Sequence, residues 1–110
     1  MPRLSCSAAL VLASSSLLLG QDASTGKKLF LKFGCYECHG TQGQGTAAGA
    51  RLAPKPIPLA ALIAYVRRPV GQMPPYTNKV VSDAELADIR AYLASIPDPP
   101  PATSIPLLNQ

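Results

Sequence analysis

The stretch Cys35-Tyr36-Glu37-Cys38-His39 decides the fold of this 110-residue chain. Cys-x-x-Cys-His is the pattern of covalent haem attachment, because two thiols at this spacing can add to the two vinyl groups of one porphyrin. The histidine that follows is then held beneath the iron and supplies an imidazole ligand. The pattern therefore predicts thioether bonds at Cys35 and Cys38 and an axial iron ligand at His39.

A bare Cys-x-x-Cys pair also occurs in zinc sites and in thioredoxin-like redox centres. A zinc site needs a second pair of ligands, but His39 is the only histidine and no cysteine follows Cys38. A thioredoxin-like centre needs a βαβ setting, and no strand pattern surrounds the motif. Haem attachment is therefore favoured over a redox pair or a chance match.

The composition fits one small domain with a mild positive charge. The third cysteine, Cys6, lies in the N-terminal segment, so no pair is left for a structural disulfide. The formal charge is +4, and it falls to +3 if Arg3 is removed with that segment. A small excess of this kind suits transient docking on an acidic protein surface. It does not indicate nucleic-acid binding, because no basic stripe is interleaved with aromatic residues.

Residues 1–20 have the composition of a targeting segment. Arg3 gives a positive start, and residues 4–19 are apolar and rich in Leu, Ala and Ser. This run is shorter than the roughly 20 apolar residues of a membrane-spanning helix. It predicts a signal peptide and hence an exported, periplasmic protein. Because no clear cleavage site follows, an uncleaved anchor formed by residues 4–19 stays open as an alternative.

Residues 21–96 are predicted to form the folded domain, from apolar periodicity and capping signals. Three helices are expected, over residues 24–33 with Ser24 or Thr25 as the cap, over residues 59–68, and from a capping box at residues 82–85 to about Ile96. The glycine-rich residues 40–49 are expected to form a loop along one haem edge. Residues 97–110 are rich in proline and lack a period, which predicts a disordered or extended tail.

Met73 is the only methionine after Met1 and lies 34 residues beyond His39. It is followed by Pro74 and Pro75, so it is expected in a stiff loop rather than in a helix or strand. A thioether is a soft ligand, and a Met/His axial pair raises the reduction potential of a cytochrome haem. The alternative is that Met73 fills an apolar gap in the core. Its position in a Gly/Pro loop favours the role of second axial ligand.

With both ligand candidates placed, the chain resembles the class I c-type cytochromes, the family of small mono-haem cytochromes c. The resemblance covers roughly residues 24–96 and rests on the Cys-x-x-Cys-His-Gly motif, on Met73-Pro74 and on positions of the first and last helices. It implies an all-α, cytochrome c-like fold of three to four short helices around one covalently bound haem. In that family the first and last helices cross, and Gly26, Phe30 and Tyr92 match the residues at the crossing.

The resemblance also implies how the haem is held. It implies thioethers at Cys35 and Cys38, a proximal ligand at His39 and a distal ligand at Met73. Family members often have a Gly-Pro pair whose backbone carbonyl accepts a hydrogen bond from the proximal histidine. Gly49 matches the glycine, but Ala50 stands in place of the proline. The family's tryptophan near a haem propionate is missing, which leaves three candidates to replace it: Arg51, Arg67 and Tyr76.

Together these features predict a one-electron carrier rather than an enzyme. Two filled axial positions leave the iron no site for a substrate, so only electron exchange with a redox donor and a redox acceptor remains. The basic residues expected to border the haem edge and to steer such partners are Lys55, Arg67, Arg68 and Lys79. Two alternatives stay open. One is an open-site gas sensor or weak peroxidase, and the other is a tethered haem subunit of a larger dehydrogenase or oxidase.

Overall fold

The computed structural model describes residues 21–110, so the predicted signal peptide lies outside the described residues. Within this part of the chain there are four α-helices and no strand. The helices are α1 (Ala23–Lys32), α2 (Cys35–His39), α3 (Leu59–Arg67) and α4 (Asp83–Ser95). The only β-type pairing there is a single bridge between Thr46 and Gly49. The predicted all-α fold of three to four short helices is confirmed.

The start of α1 differs from the prediction. The cap is Asp22, whose carboxylate accepts a hydrogen bond from the Ser24 amide at 2.8 Å and another from the Thr25 hydroxyl at 2.8 Å. The predicted caps, Ser24 and Thr25, therefore lie inside the helix and serve as donors to the true cap. The Asp22 amide in turn donates to the Asp88 carboxylate at 2.9 Å, which ties this end of α1 to α4.

The crossing of α1 and α4 forms the centre of the core. Phe30 is fully buried, and its ring centroid lies 5.6 Å from that of Tyr92 at an interplanar angle of 58°. A tilted aromatic pair at this distance is a favourable packing arrangement. The apolar side chains of α4 face the same core, and Leu86, Ile89 and Leu93 are all buried in it.

Helix α3 completes the core on the side of α4. Leu62 and Val66 are buried on its inner face, and Ile63 packs against the core from its border. The helix begins after Pro58, whose carbonyl accepts the first bond of the helix from the Leu62 amide at 3.0 Å. Helix α4 opens with the predicted capping box, in which Ser82 accepts from the Glu85 amide and the Glu85 side chain accepts from the Ser82 amide.

The segment after α4 lies at the surface. Two short 3₁₀ turns, Ala102–Ser104 and Pro106–Leu108, are joined by the Asn109 side-chain amide, which donates to the Ala102, Thr103 and Ile105 carbonyls. Leu107 and Leu108 are 78% and 65% exposed. No burial therefore stabilises this end of the chain, and disorder of residues 97–110 stays a prediction.

Candidate functional site

The Cys-x-x-Cys-His motif forms the short helix α2, set off from α1 by a sharp turn. Gly34 caps α2 with a φ of +76°, a left-handed conformation that favours glycine, and Gly40 ends it with a φ of +82°. Cys35 is half-buried and Cys38 is exposed, and both are free thiols. Burial raises the pKa of the Cys35 thiol. Residues three apart are neighbours on a helix surface, so α2 presents its two unpaired thiols side by side.

The His39 ring is oriented by a backbone carbonyl. Its Nδ1 lies 2.7 Å from the Ala50 carbonyl oxygen, which can only accept. The proton must therefore be on Nδ1, and Nε2 keeps the lone pair that a metal needs. The hydrogen bond implied by the resemblance is thus present, although alanine replaces proline at position 50.

The glycine-rich loop is pressed against the back of α2, and its predicted position along a haem edge stays a prediction. A Cβ on Gly49 would lie 2.7 Å from the Cys38 carbonyl oxygen and 3.0 Å from His39 Nδ1. The Gly45 amide donates to the His39 carbonyl at 2.8 Å. The Thr46 hydroxyl donates to the Cys38 carbonyl. These contacts fix the last turn of α2. They also bring the loop so close to α2 at position 49 that only glycine fits there.

Met73 lies in the loop between α3 and α4, residues 68–82, which we call the Met73 loop. Its side chain is half-buried and packs against the hydrophobic core, as do Cys35 and Phe33. The Tyr76 hydroxyl donates to the Phe33 carbonyl at 2.9 Å, and the Tyr76 amide donates to the Val66 carbonyl at 3.0 Å. The structure therefore attaches the Met73 loop both to α3 and to Phe33, two residues before the haem motif.

The three candidates for contacting a propionate have different surroundings. Arg67 is held by the Tyr76 carbonyl at 3.0 Å and by the Asp83 carboxylate at 2.6 Å. The Tyr76 hydroxyl is engaged with Phe33. Arg51 is exposed, and only its Nε has a partner among the described residues, the Ala53 carbonyl at 3.0 Å. Arg51 is therefore the candidate whose terminal nitrogens stay available to a carboxylate.

Sequence reasoning missed the side chains that brace the site. Thr46 is predicted only as part of the glycine-rich loop, and no sequence signal marks its bond to Cys38. Arg67 is predicted at the haem edge or near a propionate, yet its side chain is only 20% exposed and bonds to the Met73 loop. The thioether and axial-ligand residues stay predictions from the motif and the loop composition.

The comparisons with known proteins agree with this geometry. A family model described as cytochrome c oxidase, cbb3-type, subunit III matches residues 21–93. The chain belongs to this family and is a class I c-type cytochrome. Neither a curated protein nor a solved structure matches the chain significantly.

Membership of this family implies a covalently bound haem c with its iron, and the spacing of Cys35 and Cys38 fits that attachment. The cytochrome is accordingly a c-type haem electron carrier with redox proteins as partners. Its His39 ring, with Nε2 left free, and the close approach at Gly49 fit such a group. Domains of this type are generally extracytoplasmic. Across residues 21–110, no helix has the length and hydrophobicity needed to span a membrane.

Proposed function

We propose that the cytochrome carries single electrons between two redox proteins outside the cytoplasm, with Cys35 and Cys38 as thioether residues and His39 and Met73 as axial ligands. The observation that carries this proposal is the 2.7 Å contact between His39 Nδ1 and the Ala50 carbonyl. A histidine that binds a metal through one ring nitrogen almost always donates a hydrogen bond from the other. A histidine that binds no metal does not require such a fixed tautomer.

The bound haem would supply a reversible one-electron couple at its iron. The chain's own contribution is to hold the ligands with little rearrangement. Ala50 fixes the plane of the His39 ring, and Gly49 allows the loop to approach α2. Met73 is placed by a loop with two prolines and by the bonds of Tyr76. With His39 and Met73 both bound to it, the haem iron would have no position left for a substrate.

The axial ligands are tested by visible spectroscopy of the wild-type cytochrome and of Met73→Ala. The wild type is expected to show sharp c-type bands when reduced and a weak far-red sulfur-to-iron band when oxidised. That band should vanish in the variant, which should also bind carbon monoxide readily when reduced. A high-spin wild-type spectrum that the substitution does not change would mean an open iron, and the sensor or peroxidase alternative would then replace the carrier.

The family match favours a second, related role as a tethered haem subunit of an oxidase complex, because the family is described as subunit III of a cbb3-type oxidase. The electron-transfer chemistry is the same in both roles. They differ in whether residues 1–20 remain on the mature protein and whether it purifies alone. Intact-mass measurement of the mature cytochrome distinguishes a cleaved, periplasmic carrier from an anchored subunit.

The proposed partner surface is basic. Lys55, Arg68 and Lys79 are exposed, while Arg67 is tied into the Met73 loop and contributes less free charge. Exposed charges steer partners over a distance of about 10 Å at 0.1 M salt. Electron-transfer rates with an acidic partner should therefore fall as salt is raised. Rates that do not change between low and high salt would exclude steering by this surface.

A further inference from the structure

Tyr76 is the residue that joins the Met73 loop to the rest of the cytochrome. It lies three residues after Met73 and makes a bond at each of its three polar groups. Its hydroxyl donates to the Phe33 carbonyl at 2.9 Å, its amide donates to the Val66 carbonyl at 3.0 Å, and its own carbonyl accepts from Arg67 at 3.0 Å. Apart from Ser82, which caps α4, no other residue of the Met73 loop is bonded at both its backbone and its side chain to elements outside the loop in the described structure.

The bond to Phe33 has a particular place in the chain. Phe33 caps the end of α1, and Cys35 follows two residues later at the start of α2. The Tyr76 hydroxyl therefore connects the loop that carries one proposed ligand to the segment that carries the haem thiols. The sequence separation of the two residues is 43. Because these residues are far apart in sequence, local backbone structure does not fix the distance between the Met73 loop and the haem motif. The hydroxyl bond does.

The surroundings of the Tyr76 side chain favour its hydroxyl bond to the Phe33 carbonyl. The side chain is half-buried and packs against the hydrophobic core, as Phe33 and Met73 also do. Burial raises the pKa of its hydroxyl above the ordinary value of 10.0, further from neutral pH. Arg67 holds the backbone of the same residue and is itself fixed to the Asp83 carboxylate at 2.6 Å.

We propose that Tyr76 is a positioning residue whose hydroxyl bond to Phe33 latches the Met73 loop and thereby keeps the Met73 sulfur on the iron. This inference rests on the proposed ligation by Met73 and adds the group that maintains it. When the latch is released, the loop moves away as a unit and the iron becomes open to an external ligand. The latch therefore sets how easily a small molecule replaces Met73.

Tyr76→Phe tests the latch, because it removes the donor and keeps the ring. The matched control is Tyr92→Phe, which removes an equivalent hydroxyl bond, from Tyr92 to the Thr41 carbonyl at 2.7 Å, and leaves the Met73 loop untouched. The readouts are the far-red sulfur-to-iron band and the apparent affinity of the oxidised cytochrome for imidazole. Imidazole can bind only the open population, so its affinity reports the open fraction.

The apparent imidazole affinity of Tyr76→Phe should rise about threefold to tenfold, as expected for the loss of one net hydrogen bond from the closed state. That of Tyr92→Phe should stay within about twofold of the wild type, even if both variants lose a similar amount of overall stability. An equal rise in both variants, or no rise in Tyr76→Phe while the wild type shows the sulfur-to-iron band, would overturn the latch.

A second measurement uses only the wild type and covers the case in which Tyr76→Phe does not retain haem. Coupling between two sites is reciprocal, so displacing Met73 with imidazole must weaken the latch. Hydrogen exchange of the Tyr76 amide should then accelerate at least threefold on saturation with imidazole, while that of Leu93 stays unchanged. An unchanged Tyr76 amide would overturn the latch. A wild type that lacks the sulfur-to-iron band would instead remove the proposed Met73 ligation, and the latch with it.

Discussion

Gly26 of α1 lies directly against the backbone of Asp88 in α4. A Cβ placed on Gly26 would be 1.8 Å from the Asp88 carbonyl oxygen and 2.4 Å from its carbonyl carbon. No real carbon atom fits at such a distance, and the obstructing atoms belong to a helix backbone that cannot move aside alone. The two helices can therefore cross this closely only because position 26 has no side chain, and the crossing in turn places Phe30 against Tyr92.

Gly26→Ala should destabilise the cytochrome, although alanine is the better helix former. Helix propensity alone predicts a gain of about 1 kcal/mol for this change in a helix interior. Forcing an extra methyl group into a packed contact costs about 1–3 kcal/mol, and a backbone clash puts this site at the upper end. The sign of the change in the free energy of unfolding, measured by urea denaturation, decides between the two effects.

Lys27→Ala is the control for that measurement, since Lys27 is exposed on the same helix. It should leave the unfolding midpoint within experimental error or raise it slightly. If Gly26→Ala were as stable as Lys27→Ala, the close crossing of α1 and α4 would not exist in solution.

Arg67 and Arg68 are neighbours in sequence but should differ strongly in their effect on stability. Arg67 donates to the Tyr76 carbonyl and to the Asp83 carboxylate, and its side chain is 20% exposed, whereas Arg68 is at the surface. Arg67→Ala leaves a carbonyl and a carboxylate without their donor, so it should cost about 1–3 kcal/mol. Arg68→Ala should change stability by less than about 0.5 kcal/mol.

Thermal unfolding of the two variants, monitored in the Soret region, measures this difference. Arg68→Ala is expected instead to reduce the salt dependence of electron transfer with an acidic partner. Equal stability losses in the two variants would show that the Arg67 network contributes nothing, and that both arginines act only as surface charges.

Asp22 should make the stability of α1 depend on pH in the acid range. The bonds from the Thr25 hydroxyl and the Ser24 amide lower the pKa of its carboxyl below the ordinary value of 3.8. A carboxyl whose pKa is lower in the folded state stabilises that state at pH values above its unfolded pKa. This contribution is lost as the pH falls through the folded pKa.

Asp22→Asn provides the comparison, because asparagine can still cap the helix but cannot titrate. Wild type should be more stable than Asp22→Asn at pH 6, and the difference should shrink as the pH is lowered below about 4. Urea midpoints at several pH values measure it. A difference that stays constant from pH 6 to pH 2 would mean that the folded and unfolded pKa values of Asp22 are the same.

Local sequence signals predicted three of the four helices, α1, α3 and α4, whereas the five-residue α2 was not among them. Such signals, like the capping box at Ser82, act on their own neighbours, so the ends of those three helices were predicted within one or two residues. The one misplaced cap, at Asp22, shows the limit of such signals. Three polar residues within four positions can each cap a helix, and Asp22 is the one that also bonds to Asp88 of α4 at the surface.

Residue types predict the chemistry of the site, whereas its supporting contacts come only from the structure. Motif and composition mark Cys35, Cys38, His39 and Met73 as the predicted thioether residues and axial ligands. The partners of Tyr76 and His39 are backbone carbonyls, which every residue has, so no residue type identifies them. The sequence does not predict the bond from Arg67 to Asp83, because nothing in it shows that a residue 16 positions later faces the guanidinium.

The last prediction concerns Thr46, which braces the loop that ends at Ala50. Its hydroxyl donates to the Cys38 carbonyl and accepts from the Ala48 amide at 3.0 Å, and its backbone pairs with Gly49. This network stiffens the segment leading to the Ala50 carbonyl, where family members often have a proline. A firm hydrogen bond from His39 Nδ1 makes the imidazole a more basic ligand, which stabilises the oxidised iron and lowers the reduction potential.

Thr46→Val should therefore raise the reduction potential and reduce stability by about 0.5–1.5 kcal/mol, the net value of one hydrogen bond. Thr41→Val is the matched control: Thr41 lies in the same loop and is also exposed, and its side chain makes no hydrogen bond in the described structure. Redox titration and urea denaturation of both variants separate the two effects.

A loss of stability in Thr46→Val with an unchanged potential would mean that Thr46 holds the loop but does not influence His39. A rise in potential in both variants would instead assign the effect to loss of a polar group near the haem, because only a change confined to Thr46→Val can be transmitted through the Ala50 carbonyl.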